Sequence, residues 1–259
     1  MKYITAFFMA WGNFCAIPCP CKLWDNELRK LQLVFFPFIG LMLGVIWCAI
    51  PFVINLVPLV TNEFEIPIIL GALLVALYPY LITGFIHLDG FMDCSDAILS
   101  RRDLAERQRI LKDSHVGAFS VICVVILMMF SYAGGYALMD GNLHAAGALL
   151  GIPVVSRICS AYGVLNFVPI GHSQYKASYD KGGNMGYNIV LLLMFMAVVA
   201  YTAAMFYYGA VVAILATAVT HFLVMFYGRK QLGGMSGDIA GYALTVAECV
   251  GLIVAAIWL

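Results

Sequence analysis

Three aspartates with helical spacing are the first residues in the sequence that could carry out chemistry. Asp89, Asp93 and Asp96 stand at positions i, i+4 and i+7, so an α-helix would place them on one face. Carboxylates in such a row repel one another unless a cation lies between them. Mg²⁺ prefers oxygen ligands and shares its shell with water and phosphate. A solvated acidic face is the weaker alternative, because Phe91 and Ile98 beside the acids are apolar. We therefore predict that the three aspartates bind metal.

A second polar group follows 16 residues later, at the end of the same polar segment. Lys112 supplies a positive charge that could hold a phosphate group. Asp113 could be a fourth metal ligand, or it could accept a proton from an attacking hydroxyl, as could His115. The alternative role for Asp113 is to cap the next helix. We predict that all three residues are catalytic.

Further polar residues flank these groups or interrupt apolar segments. Asp238 ends the glycine-rich stretch LGGMSGD, where a ligand could approach the backbone closely. Glu248 lies inside an apolar segment, where an acid is costly and is a candidate functional residue, with Arg157 as its possible partner. The polar segment 172–184 is either a cover over the substrate or a turn. The candidate substrate-binding residues are His87, Arg101, Arg102, Ser114, Arg157, Arg229 and Asp238.

The composition shows which kind of protein must position these residues. The 259-residue chain is 63% hydrophobic and only 11% charged, whereas soluble domains carry about 25% charged residues. Disorder is excluded by this hydrophobicity, and nucleic-acid binding by the balance of 14 Lys and Arg against 14 Asp and Glu. The apolar runs are too long and continuous for a β-barrel. We predict an all-α fold, a polytopic helical bundle in a lipid bilayer.

The apolar runs predict about seven transmembrane helices, with six or eight as the alternatives. No polar linker divides the chain, so we expect one membrane-embedded domain over 1–259. Residues 3–19 are a partial span, which we interpret as an interfacial or re-entrant segment. The predicted spans are 33–60, 66–86, 116–139, 141–165, 186–207, 209–227 and 238–259.

Basic residues predict the orientation of the bundle. Lys and Arg lie before span one and after spans two, four and six, whereas the connections near 61–65, 140–142 and 207–209 have none. The positive-inside rule then places the polar segments in the cytoplasm, and the chain in the cell inner membrane. A short helix over 104–112, capped by Asp103, carries Arg107 and Arg109, which we predict to be structural. Cys15, Cys19 and Cys21 favour packing over a metal site.

Carboxylates, cations and glycine turns at one membrane surface suit a diphosphate substrate held by Mg²⁺. Transfer of a phosphoryl group to an alcohol and transfer of a prenyl group fit equally well, and composition does not separate them. A cation transporter is the non-enzyme alternative. It is less favoured, because the acids cluster at a loop end and internal repeats are absent.

The segment TGFIHLDGFMDCSDAILSRRDLAERQRILKDSHVGAF resembles the signature of the cobalamin synthase family, adenosylcobinamide-GDP ribazoletransferase. The stretches FFPFIGLMLG and LGGMSGD are also similar to family motifs, and Glu248 falls where the family has an acid. Three positions depart from the pattern: Ala97 replaces a frequent Gly, His115 a frequent Arg, and Thr245 a common Glu. The D-G-x-x-A-R run of CDP-alcohol phosphotransferases is absent, as is a second Asp-rich motif typical of membrane prenyltransferases.

The resemblance implies a magnesium-dependent membrane enzyme of vitamin B12 biosynthesis. Adenosylcobinamide-GDP and α-ribazole, or α-ribazole 5′-phosphate, would give adenosylcobalamin or its phosphate, with release of GMP. The phosphorylation of the acceptor, its preferred base and the oligomeric state stay open. Lys112 and Arg229 would stabilise the transferring group, and Asp113, or else His115, would be the base. The implied metal ligands are Asp89, Asp93, Asp96 and Asp113.

Overall fold

The structure, a computed structural model, describes residues 1–61, 66–140, 143–171 and 173–258, and these ranges contain ten α-helices. The described residues form no strand, only an isolated bridge between Pro169 and Met235. The predicted all-α class is therefore confirmed. The helices are α1 (Lys2–Phe14), α2 (Arg29–Thr61), α3 (Ile68–Ile82), α4 (Ile86–Leu99), α5 (Leu104–Ile110), α6 (Ala118–Ala137), α7 (Leu143–Asn166), α8 (Met185–Met205), α9 (Tyr208–Leu232) and α10 (Gly237–Ile257).

Six helices are long and apolar enough to cross a membrane, and a seventh span results if α3 and α4 count together. This agrees with the predicted six to eight spans and makes the chain a multi-pass membrane protein. The structure describes only part of the connections that lack Lys and Arg, because 62–65 and 141–142 lie outside the described residues. His172, in the third polar segment, is also outside them.

The predicted span 66–86 is interrupted by a sharp bend. Helix α3 ends at Ile82, and α4 leaves at an angle of 89°. Gly84 and Phe85 have φ angles of 62° and 63°, the left-handed conformation that stops a right-handed helix. The hydroxyl of Thr83 donates to the carbonyl of Pro79 at 2.8 Å, which satisfies a carbonyl at the end of the helix. The acidic segment therefore begins a helix of its own.

Helix α7 is the centre of the bundle, with α2, α9 and α10 packed around it, whereas α8 is peripheral. The glycines of the FFPFIGLMLG stretch allow α2 to touch it. A Cβ at Gly40 would lie 2.3 Å from the carbonyl oxygen of Pro153, and one at Gly44 would lie 2.4 Å from that of Leu150. Small residues serve this purpose in membrane helix pairs, where close backbone contact supplies the packing energy.

The N-terminal segment, predicted to be interfacial or re-entrant, forms helix α1 against α2. The side-chain amide of Gln32 donates to the carbonyl of Met9 at 3.0 Å, and the rings of Phe7 and Phe35 meet edge to face. This contact brings Phe14, at the end of α1, into the interior of the molecule. The position of α1 relative to the bilayer stays a prediction.

Candidate functional site

Helix α4 carries the aspartates, and α10 holds it in place. The backbone of α4 at Gly90 comes so close to Asp238 that a Cβ there would lie 2.9 Å from the backbone of that residue. Phe91 stacks on Tyr242 one turn further along α10. Asp93 is half-buried and lies in the field of the carboxylates of Asp89, Asp96 and Asp238. The fold thus gathers four acids at the contact between these two helices.

The acids of α4 and the segment before α6 enclose one cavity of about 290 Å³, which we call the carboxylate cavity. It unites the predicted metal ligands with the predicted catalytic group, although more than 15 residues separate the two in sequence. Its charged and polar lining includes Asp89, Asp93, Asp96, Lys112, Asp113, Ser114 and His115.

Asp96 differs from the other two aspartates of α4. Its two carboxylate oxygens accept the backbone N–H groups of Gly117 and Ser120, at 2.8 and 3.0 Å. It therefore caps the start of α6, the role that sequence considerations offered as the alternative for Asp113. Asp89 and Asp93 accept no hydrogen bond from any described residue and are free to bind a ligand.

Asp113 and His115 form a hydrogen-bonded pair at the mouth of the carboxylate cavity. Asp113 Oδ1 accepts the backbone N–H of His115 at 3.1 Å and lies 2.6 Å from its Nδ1. The bond raises the pKa of His115 and lowers the pKa of Asp113, because each charge stabilises the other. The second ring nitrogen, Nε2, has no partner among the described residues and is available for proton transfer.

A second, smaller cavity of about 200 Å³ adjoins the first, and we call it the inner cavity. Asp89 lines both cavities. His87 and Asp238, predicted to bind substrate, line the inner one. Gln174 and Tyr175 also line it. Sequence considerations missed these two residues individually, although the polar segment 172–184 was a candidate cover over the substrate.

Arg157 and Glu248 are the buried ion pair that their positions suggested. Arg157 Nη1 lies 2.6 Å from Glu248 Oε1, and the hydroxyl of Ser156 donates to the same oxygen at 2.7 Å. The Arg157 guanidinium also donates to the carbonyl of Pro153. Arg157 lines neither cavity and joins α7 to α10, so its role in substrate binding stays a prediction. A buried charge needs such a partner.

Three other arginines predicted to take part in the site lie away from the cavities. Arg101 and Arg102 are exposed in the turn after α4. The guanidinium of Arg229 stacks on Phe167, 3.8 Å from the ring centre, at the end of α9. None of the three lines either cavity. Local sequence could not reveal this, because only the packing of α9 determines where its last turn points.

Helix α5 agrees with the predicted structural role of its arginines. Asp103 accepts the backbone N–H of Glu106 at 2.9 Å and caps the helix. Arg109 pairs with Glu106, and Arg107 donates to the backbone and side chain of Gln231 in α9. The bonds of Arg107 attach α5 to the end of α9.

Magnesium was the predicted cofactor. Among the described residues no three His, Cys, Asp or Glu side chains are arranged as a complete metal site. Mg²⁺ does not need one, since it often binds through one or two carboxylates with water and substrate phosphate. Asp89 and Asp93, one turn apart and without partners among described residues, suit such binding. All eight cysteines are free.

Comparison with known proteins gives matches along nearly the whole chain. A family model described as cobalamin-5-phosphate synthase matches residues 6–256. Proteins named adenosylcobinamide-GDP ribazoletransferase are similar over their length. One from Clostridium perfringens is 38% identical and one from Clostridium botulinum 36% identical, covering 97% and 96% of both chains. One from Acetivibrio thermocellus is 29% identical over 98% of both chains. No solved structure matches. The chain belongs to the cobalamin-5-phosphate synthase family.

Proposed function

We propose that this chain is an adenosylcobinamide-GDP ribazoletransferase that acts on α-ribazole or its 5′-phosphate. The observation that carries the proposal is the carboxylate cavity, which joins two unpartnered carboxylates, a lysine and an Asp–His pair. In the reaction, a ribazole hydroxyl oxygen bonds to the phosphorus attached to cobinamide. The bond from that phosphorus to the bridging oxygen breaks, GMP leaves, and the hydroxyl proton passes to a base.

Asp89 and Asp93 are the residues that would hold Mg²⁺. When bound, Mg²⁺ neutralises diphosphate charge and favours departure of the nucleotide. Lys112, which lines the same cavity, binds the non-bridging phosphate oxygens as a point charge. Asp96 acts mainly through the fold, because its cap on α6 fixes the segment that carries Lys112. Direct ligation by Asp96 or Asp113 stays a prediction.

The Asp113–His115 pair supplies the base. The bond from Asp113 to Nδ1 directs a proton onto that nitrogen and leaves Nε2 to accept the hydroxyl proton, as in other carboxylate–imidazole pairs. We therefore assign proton acceptance to His115 and its orientation to Asp113. The sequence alone had favoured Asp113 as the base. The geometry supports the reverse order, because Asp113 Oδ1 already accepts two bonds.

The bilayer is the second partner. The chain is a multi-pass membrane protein, and the positive-inside rule supports a cytoplasmic position for the site. In that position the carboxylate cavity opens toward the nucleotide pool. The bulky corrinoid could then rest against the membrane surface while its diphosphate enters the cavity.

An activity assay tests the proposal. Purified protein in liposomes receives adenosylcobinamide-GDP and α-ribazole 5′-phosphate, with and without Mg²⁺, and GMP and corrinoid product are measured together. Equal, magnesium-dependent amounts of both products are expected. If a folded preparation yields neither, the proposal fails, and CDP-alcohol and prenyl diphosphate donors become the next substrates to test.

A further inference from the structure

We infer that the inner cavity binds the benzimidazole ring of the acceptor, α-ribazole. The inference rests on the proposed function and adds a substrate subsite to it. It begins from the position of the cavity. Asp89 lines the inner cavity and the carboxylate cavity alike, so a ligand in the former has its polar end beside the reacting groups.

His87 is the buried polar residue that points to a ligand. It is 7% exposed, and its ring packs beside the contacting rings of Phe14 and Phe36, with ring centres 6.1 and 5.7 Å away. Its Nε2 is buried and has no partner among the described residues. Buried polar atoms in folded proteins are nearly always hydrogen-bonded, so an orphan of this kind is explained by a group that arrives from outside.

The rest of the lining is mixed, with apolar walls and several polar side chains. Aromatic and aliphatic side chains from α1, α2, α4, α7 and α10 form the walls, among them Phe14, Leu33, Phe36 and Val164. Polar groups, including Asp89 and Asp238, lie among them. Specific ligand sites commonly have this composition, with apolar walls and a few placed polar groups.

The acceptor fits this cavity better than the donor. A ribosylated benzimidazole is a fused bicyclic ring with one free ring nitrogen, which is an acceptor. His87, with its proton on Nε2, can donate to that nitrogen. Guanine presents several donors and acceptors, each of which would need a partner, whereas the benzimidazole ring needs only the one donor that His87 supplies. The volume of about 200 Å³ suits one bicyclic ring and excludes a corrin.

The carboxylates then face the ribose. With the base in the inner cavity, the ribose hydroxyls lie toward the shared wall, where the Asp89 carboxylate can accept a hydrogen bond. The attacking hydroxyl would thus enter the carboxylate cavity from the inner cavity. The donor diphosphate would come from the open side, where His115 is 91% exposed. Two substrates of very different size would use two different entrances.

Binding measured without phosphate tests the inference. The probe is unphosphorylated α-ribazole, titrated calorimetrically into detergent-solubilised full-length protein with metal chelated, and guanosine is the comparison ligand. We expect saturable α-ribazole binding and at least tenfold weaker guanosine binding. Tighter guanosine binding would overturn the inference, because the cavity would then belong to the donor.

Two matched valines separate a cavity effect from a folding effect. Val164 and Val154 both lie on α7 with 5% and 6% exposure, but only Val164 lines the inner cavity. Val164→Leu should weaken α-ribazole binding at least tenfold, and Val154→Leu less than twofold. Equal effects of the two substitutions would overturn the inference.

Substitutions at His87 test the hydrogen bond. His87→Leu should weaken α-ribazole binding at least tenfold, and His87→Gln should restore most of it, because the Gln amide can donate from a similar position. Equal affinities of the two variants would overturn the role of Nε2.

Turnover distinguishes the two proposals. In an active enzyme, Val164→Leu should raise KM for α-ribazole 5′-phosphate and leave KM for adenosylcobinamide-GDP unchanged. Turnover with both KM values unchanged would overturn the subsite and leave the proposed function standing. Absence of wild-type turnover would overturn the proposed function, while the calorimetric titration would still decide the subsite.

Discussion

The three aspartates of α4 share a spacing but not a role. Asp89 and Asp93 accept no hydrogen bond from described residues, whereas both oxygens of Asp96 accept backbone N–H groups at the start of α6. Helical periodicity could predict that the three lie on one face. It could not predict that backbone N–H groups of another helix would donate to one of the three carboxylates, since that depends on tertiary packing.

The difference predicts unequal effects of three isosteric substitutions. Asp89→Asn and Asp93→Asn should lower kcat/KM at least a thousandfold, because each removes a negative charge that would bind the metal. Thermal stability should stay nearly unchanged, because neither carboxylate accepts a hydrogen bond from a described residue. Asp96→Asn should destabilise the protein by about 1–2 kcal/mol, since the amide nitrogen of Asn cannot accept one of the two backbone N–H groups at the start of α6. Activity and thermal unfolding of the three variants, measured side by side, check this. Near-wild-type activity in Asp93→Asn would exclude it as a metal ligand.

The Asp113–His115 pair predicts a pH dependence. Asp113 raises the pKa of His115, so the imidazole stays protonated to higher pH. A base must be neutral, and kcat/KM should therefore fall as the pH drops through this raised pKa. In Asp113→Asn the pKa of His115 returns toward about 6.5. The fall of kcat/KM on the acid side of the pH profile should therefore move to lower pH, and the maximal kcat/KM should decrease. Glu106→Gln, in an exposed pair outside both cavities, should leave the profile in place. An unshifted fall on the acid side in Asp113→Asn would argue against His115 as the base.

At the scale of elements, one local break decides where the site lies. The left-handed residues Gly84 and Phe85 separate α3 from α4, and the acids thereby lie against α10 instead of continuing a span. Apolar runs in the sequence locate the spans well, because membrane helices need long apolar stretches. The hydropathy pattern did not predict the bend, because a Phe at positive φ is as apolar as a Phe inside a helix.

The contact between α2 and α7 predicts the effect of one added methyl group. Gly40→Ala should destabilise the protein by about 1–3 kcal/mol, because the new Cβ meets a backbone carbonyl that cannot move aside. Gly186→Ala in α8 is the matched control: its Cβ would meet nothing within 4 Å, so stability should hold or rise slightly. Thermal unfolding in one detergent compares the two. Equal stability would show that α2 can shift away from α7.

At the scale of the whole molecule, the Arg157–Glu248 pair connects the central helix to the last one. Each residue alone suggested an intramembrane functional group, and the sequence offered the partnership only as an option. Their meeting depends on how α7 and α10 cross, which local patterns do not contain. The sequence could not predict the positions of Arg229, Gln174 and Tyr175 for the same reason.

Breaking this pair from one side should be costly. Glu248→Gln should destabilise the protein by about 3–5 kcal/mol, because the Arg157 charge stays buried without its counter-charge. The double variant Arg157→Met with Glu248→Leu should recover a large part of that loss, since no charge then remains buried. Denaturant unfolding of the single and double variants measures both values. A double variant as unstable as the sum of its single variants would contradict this account.

The same pair also matters while the chain is being made. Arg157 is synthesised 91 residues before Glu248, which at about 5–20 residues per second is an interval of roughly 5–18 s. During that time α7 carries a cation whose counter-charge does not yet exist. This unpaired charge lowers the stability of α7 in the membrane. A chain cut short before Glu248 keeps this defect permanently. The ion pair thus ties the full stability of α7 in the membrane to completion of the last helix.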